Sequence, residues 1–288
     1  MRRIQVIYEG IDFAHIQANL GRCYVSDDSQ ALQVLLTGPN KPEDIQRRAI
    51  DCPLGVSWGL TQLVQGHLPP DLGGDGYKTR ETERWLRNHA TMYQTNQLWR
   101  ARSNAEREQY PRASYFNGGS HVQSAAGLQI VPACLAWLLQ QIAPDAKPNQ
   151  RLAAASAARR GEGPIFEAHP RMFLYSAIER LYRSDSTVVT NETLNVVAGY
   201  KGNNVEAAGN RRIIYDLLQS NPAWMGQTPR ELLPVTPPEE VIESDHTFDA
   251  WLAALTAWAH EKNETLGWIE AGIDPAHVDA EGHILVLR

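Results

Sequence analysis

Five acids in this chain occupy positions suited to chemistry. Asp12 closes the run VIYEGID, Asp51 closes RAID and Glu167 closes PIFE. Asp245 and Asp249 lie one helical turn apart in the stretch SDHTFDAWLAALTAWAH. The first three follow apolar runs that read as strands, and ligands of α/β sheets gather at the carboxyl-terminal edge of the strands. The last two share one side of a helix. If that helix packs on the sheet with its start at the same edge, Asp245 and Asp249 face Asp12 and Asp51. Carboxylates crowded in this way repel by several kcal/mol unless cations lie between them. Hard oxygen donors select Mg²⁺ or Mn²⁺. Two such ions ~4 Å apart activate a water and stabilise a leaving oxygen in phosphodiester hydrolysis. That chemistry needs no serine or cysteine nucleophile and no phosphate loop, and the chain has no GxxxxGK[ST], GxGxxG or HExxH motif.

Each acid also has a structural alternative. Asp245 suits a helix N-cap, Asp12 and Asp51 suit turns, and Asp249 suits an ion pair with an arginine. Asp249 is the hardest to assign to the surface. Ala250, Ala253, Ala254 and Ala257 form a stripe of small side chains at helical spacing, beside a bulky stripe of Trp251, Leu255 and Trp258. A helix apolar over so much of its circumference is buried, and an unpaired carboxylate buried with it is costly.

The elements that must position these acids follow from the pattern of apolar runs. Residues 3–13 read as a strand ending in a Gly-Ile-Asp turn. Residues 22–26 and 31–37 read as two strands joined by SDDSQ, and a short helix is expected over 42–48 before the buried strand of AIDCPLG. A Gly/Pro-rich loop spans 68–80, helices are expected over 79–88 and 128–142, and 151–160 suits helix or loop. PIFEAHP reads as a strand, RMFLYSAIERLY and residues 203–219 as helices, and the tail over 267–288 as a terminal hairpin. Strands alternating with helices predict an α/β fold with a mixed sheet. One domain over 1–288 is expected, with a large, mostly helical insertion at roughly 56–160.

Composition narrows the class. An apolar fraction of 43% and a charged fraction of 21% are those of an ordinary globular protein. No run approaches ~18 apolar residues, so no membrane span is expected. MRRIQVIYEGIDF reads as a first strand and not as a signal peptide. Cys23, Cys52 and Cys134 are widely spaced, which argues against a disulfide framework or zinc site and fits a reducing cytoplasm. A net charge of −6 argues against a surface that clamps nucleic acid all round. Lys78 to Arg112 is nonetheless locally basic, with eight cations against four acids. Within it Arg80, Arg84 and Arg87 share one helical side and suit either phosphate contacts or ion pairs with Glu81 and Glu83. Trp85 and Trp99 suit base stacking or a core. His15, His169 and His246 adjoin or lie near the acids and are candidate proton carriers. Lys201 suits a partner for the acids or for a scissile phosphate.

Taken in order, several short motifs resemble a known family. They are Gly10-Ile11-Asp12, Ile50-Asp51-Cys52-Pro53-Leu54-Gly55, Arg80 with Glu83, Glu167 with Pro170, and Asp249-Ala250 with Ala253, Ala254 and Ala257. Tyr200-Lys201-Gly202 with Arg211-Arg212 adds a basic element. The family is the domain-of-unknown-function family numbered four-two-nine, whose members are predicted RNase H-like nucleases. The resemblance implies an RNase H-like mixed five-stranded sheet flanked by helices, with strands one and four as parallel neighbours. It implies Asp12, Asp51, Asp249 and Asp245 as metal ligands, with Asp245 or Glu167 completing or orienting the shell. The chain departs from the wider superfamily in spacing its helix acids at i, i+4, in having Asp51 for a common glutamate, and in carrying Phe13 after the first acid. The expected function is a divalent-metal phosphodiesterase acting on nucleic acid. The alternative is a non-catalytic scaffold whose acids are held in ion pairs. An actin-like phosphotransferase would need a duplicated domain, and the chain shows no repeat.

Overall fold

A computed structural model of the protein describes residues 6–12, 20–27, 32–52, 54, 82, 85, 140, 145–226 and 236–288. The chain divides into two compact units, one of Met1–Asp51, Ala168–Thr265 and Val286–Arg288, the other of Cys52–Glu167 and Leu266–Leu285. The second takes in the stretch expected as an insertion. The loop of 68–80, the helix expected over 128–142 apart from the helical Gln140, and Arg80, Arg84, Arg87, Phe13, His15 and Trp99 lie outside the described residues.

The first unit is built on strands β1 (Val6–Asp12), β2 (Gly21–Asp27), β3 (Leu32–Leu35) and β4 (Ile45–Asp51). With β5 (Ile165–Glu167) they form a five-stranded sheet of order β3-β2-β1-β4-β5. β1 pairs antiparallel with β2 and parallel with β4, so the sheet is mixed. Asp12 and Asp51 are direct partners in the parallel register, at the carboxyl ends of adjacent strands. β1 is covered on both faces, with Ile7 to Ile11 all buried, as the centre of such a sheet requires.

The expected Gly-Ile-Asp turn is instead the last three residues of β1. The helix expected over 42–48 is a single 3₁₀ turn, Pro42–Asp44, followed at once by β4. Pro-Glu-Asp is a good helix start, but pairing along β1 takes Ile45 onward. There the arginines of the sequence find partners across the unit. Arg48 Nε donates to Glu9 Oε2 at 2.8 Å, and Arg47 bonds Glu261.

After β5 come α2 (Pro170–Ser184), α3 (Asn191–Ala198), α4 (Val205–Ser220), α5 (Glu239–Glu243) and α6 (Asp245–Glu261), preceded in the chain by α1 (Pro148–Arg160). α6 lies across β1, β2 and β4, and α2 packs against α6. Ser244 caps α6, accepting the Thr247 N–H at 3.2 Å. From Phe248 to Ala259 every residue of α6 is buried. Phe248, Trp251, Leu255 and Trp258 each contribute about 2 kcal/mol by leaving water. Together they outweigh the cost of carrying one carboxylate, Asp249, into the interior.

The small stripe has a geometric cause. A Cβ on Gly10 would lie 1.8 Å from the Ala250 carbonyl oxygen and 2.3 Å from the Ala254 nitrogen, and one on Gly21 would lie 2.2 Å from the His246 carbonyl oxygen. Backbone meets backbone here, which glycine on the strands permits, and beside Gly10 the helix residues are the alanines Ala250 and Ala254.

In the second unit α1 packs on β5 and on α7 (Pro275–Glu281). Arg160 grips Asp279 through two hydrogen bonds of 2.7 Å. Thr82 and Trp85, the described residues of the helix expected over 79–88, are helical, and Trp85 stacks at a tilt on His283. The tail expected as a hairpin over 267–288 is corrected by α7, which separates the two-residue strands β6 (Thr265–Leu266) and β7 (Val286–Leu287). The reason is legible in Asp274-Pro275, where Asp274 caps the helix and proline takes its first position.

Gly10→Ala should therefore lift α6 from the sheet. Urea unfolding is expected to show a loss of about 3 kcal/mol or more, at the upper end of overpacking costs. A loss under about 1 kcal/mol would show that the contact is not tight.

Candidate metal centre

Three carboxylates from three elements meet at the carboxyl edge of β1 and β4. An oxygen from each of Asp12, Asp51 and Asp249 lies within 4.8 Å of the others, and no other such group of acids, histidines or cysteines occurs among the described residues. Register brings Asp12 beside Asp51. The Gly10 contact sets the distance of α6, and Asp249, on its second turn, is delivered to the pair fully buried.

The partners of Asp249 come from one loop between α3 and α4. Tyr200 Oη donates to Asp249 Oδ1 at 2.9 Å, and the Lys201 ammonium pairs with Asp249 Oδ2. His246 Nδ1 lies 2.5 Å from Asp12 Oδ2. The loop is held by Arg211, a fully buried arginine. Its guanidinium donates to the carbonyls of Tyr200 at 2.7 Å, Gly202 at 2.8 Å, Ile242 at 2.5 Å and Glu243 at 2.9 Å. Gly202, at φ +108°, takes a turn that other residues resist. Its N–H is accepted by Asp245 Oδ2 at 3.1 Å.

Protonation follows these contacts. The hydrogen bond to Asp12 raises the His246 pKa above its ordinary value, against the opposing effect of burial. Burial at the head of Lys201 lowers its pKa, while Asp51 and Asp12 hold the charge on it. Burial pushes the Tyr200 hydroxyl upward, with the neighbouring Arg171 acting the other way, so Tyr200 stays a neutral donor.

Of the acids singled out in the sequence, Asp12, Asp51 and Asp249 are brought together. Asp245 is outside that set, as the first residue of α6 with one oxygen on Gly202, and its buried Oδ1 is 4.0 Å from His246 Nε2. It fixes the loop that carries Lys201. Glu167 is also outside the set and is fully buried, accepting the Leu54 N–H at 2.9 Å through Oε2. Lys201 does pair with one of the acids, Asp249. His169 is buried just before α2, and Trp85 is committed to His283 rather than to a free face. Sequence reasoning missed Arg171 and the separate role of Tyr200. Arg171 is buried, with its guanidinium 5.6 Å from the centre of the Tyr200 ring. The one available signal was position, since Pro170 and Arg171 open a helix directly after a strand that ends in an acid. Arg211 and Arg212, seen only as a basic pair, do different work, because Arg212 is on the surface with Glu239.

The donor set fits a hard divalent cation. All three ligands are carboxylates, their oxygens converge, and Lys201 already places a positive charge against one of them. Comparison with protein-family models, with curated proteins and with solved structures found no match. Among the described residues no helix is long and apolar enough to cross a membrane.

The His246–Asp12 pair gives a pH prediction for the protein in chelator. Because the folded-state pKa is raised, the pair's contribution is complete below the imidazole's ordinary 6.5 and is lost as pH rises through the higher folded value. An NMR titration of His246 should give a pKa above 6.5 that falls in Asp12→Asn. An unchanged value in the variant would remove Asp12 as the cause.

Proposed function

We propose that this chain is an RNase H-like phosphodiesterase that acts on nucleic acid with Mg²⁺ or Mn²⁺ held by Asp12, Asp51 and Asp249. The observation that carries this is the meeting of three carboxylates within 4.8 Å at the edge where two parallel strands end. Asp249 is fully buried, and one ammonium and one neutral hydroxyl are its partners. The strand order, with β1 beside a parallel β4, is consistent with the family resemblance read from the sequence.

A bound divalent cation would supply Lewis-acid polarisation of a phosphoryl oxygen and a more acidic water. The chain's own groups do the rest. Asp12 orients His246 through Nδ1, leaving Nε2 toward Asp245 as a place to hold or pass a proton. Lys201 offers a mobile ammonium to a phosphate. Arg80, Arg84 and Arg87 would contact phosphates of the substrate. A cytoplasmic setting suits the buried thiols of Cys23 and Cys52, which form no disulfide.

One observation favours a second reading, a scaffold that keeps the fold without turnover. Asp249 and Asp12 are each already paired with a cationic side chain, Lys201 and His246.

The two are separated by incubating single- and double-stranded DNA, RNA, hybrids and branched junctions with the protein and Mn²⁺. Cleavage of at least one substrate is expected, falling by about 10³-fold or more in Asp12→Asn/Asp249→Asn, as when charge-stabilising groups are lost. Mn²⁺ should also raise the melting temperature of the wild type and not of the double variant. No cleavage beyond that of the double variant, with no thermal shift, would leave the scaffold.

A further inference from the structure

We infer that Lys201 is a tethered counter-ion for the three-carboxylate cluster, and that a divalent cation displaces its ammonium instead of binding beside it. This rests on the metal-site reading above and adds how the site is kept closed to cations until one arrives.

The inference starts from Asp249. It is fully buried, and both of its oxygens are engaged by consecutive residues, Oδ1 by the Tyr200 hydroxyl at 2.9 Å and Oδ2 by the Lys201 ammonium. A hydroxyl donor and a metal can share one carboxylate, since each oxygen has two lone pairs. An ammonium and a divalent cation on the same carboxylate repel, and little solvent is present to screen them. One of the two groups on Asp249 must therefore leave, and the structure distinguishes them. Tyr200 is fully buried between Arg171 and Phe248, with its carbonyl gripped by Arg211. Lys201 has a flexible stem, 40% of its side-chain surface is exposed, and no residue besides Asp249 is in ion-pair range of it among the described residues. The backbone on either side is pinned by Arg211 at Tyr200 and Gly202 and by Asp245 at Gly202. The movement is thus a swing of one side chain into solvent, with the loop in place.

Asp12 poses no such obstacle, because His246 engages only one of its oxygens, Oδ2.

Two measurements on the full chain test this, using Mn²⁺ alone as the probe. The first is the Mn²⁺ dissociation constant by calorimetry in wild type, Lys201→Met, Lys201→Gln and Lys201→Arg. The neutral variants should bind about tenfold tighter, because no charge has to be expelled. Lys201→Arg should bind no tighter than wild type, since a guanidinium holds a carboxylate at least as firmly. The second is acetylation of Lys201, read by mass spectrometry. Mn²⁺ should increase labelling at Lys201 in wild type and not in Asp12→Asn/Asp249→Asn, and labelling at Lys262, paired with Asp27 at 2.9 Å, should not change. Circular dichroism verifies folding, and if the neutral variants fail to fold, Lys201→Arg and the labelling decide alone. Mn²⁺ bound with equal affinity in wild type and both neutral variants, or bound with no change in Lys201 labelling, would overturn the displacement and leave the metal site standing. No Mn²⁺ binding by any variant would overturn the metal site and the displacement together.

Discussion

A methyl group on residue 10 would lie 1.8 Å from the Ala250 carbonyl oxygen, far inside van der Waals contact distance. That bare contact between a strand and a helix governs the rest of the molecule. It sets the height of α6 above β1, and so the reach needed by a short aspartate side chain on the helix to meet two aspartates on the strands. The alanine stripe is the helix's half of the same constraint, and the bulky stripe of Trp251, Leu255 and Trp258 supplies the apolar burial that holds the two together. A glutamate is not required at any of the three positions, because the backbones are close enough for aspartate.

The second constraint is charge. Two carboxylates a little under 5 Å apart repel by about 3 to 4 kcal/mol at the effective dielectric of a protein surface. The cluster contains three such pairs. Lys201 and His246 relieve part of this, and Lys201 is influenced electrostatically by Asp51, Asp12 and Asp245 at once. The loop that carries Lys201 is in turn fixed by Arg211, whose four hydrogen bonds to backbone carbonyls leave it no freedom to drift from the acids. Stability at this edge and chemistry at this edge thus draw on the same residues. A substitution made to probe one will disturb the other, and the pair Asp245–Gly202 is the place where a structural and a functional loss would be hardest to separate.

Much of this was legible from residue patterns. Apolar runs ending in Asp12 and Asp51 announced strand ends, and the 3.6-residue alternation of alanine and tryptophan announced α6. The adjacency of β1 and β4 was not in the runs themselves and came only with the family resemblance. Pro42-Glu43-Asp44 misled toward a helix because local preference favours one, while pairing with β1, which is non-local, decides. α3 was missed altogether, because its start is marked by a reciprocal cap between two threonines, Thr190 and Thr193, in place of the usual glutamate or glutamine partner. The Tyr200–Asp249 and Lys201–Asp249 contacts join residues nearly fifty positions apart, through a loop shaped by an arginine that reads in the sequence as one of a surface pair. Asp245 was grouped with the metal ligands because it shares a face with Asp249, but a full turn of helix carries it to the Gly202 amide.

The central claim is that Asp12, Asp51 and Asp249 converge to hold a divalent cation. The most direct measurement is the anomalous scattering of manganese in crystals of the protein grown with Mn²⁺. The account predicts a peak in contact with carboxylate oxygens of all three residues, with the Lys201 side chain turned away from Asp249. A map with no peak there, and the ammonium still on Asp249 at saturating Mn²⁺, would contradict it.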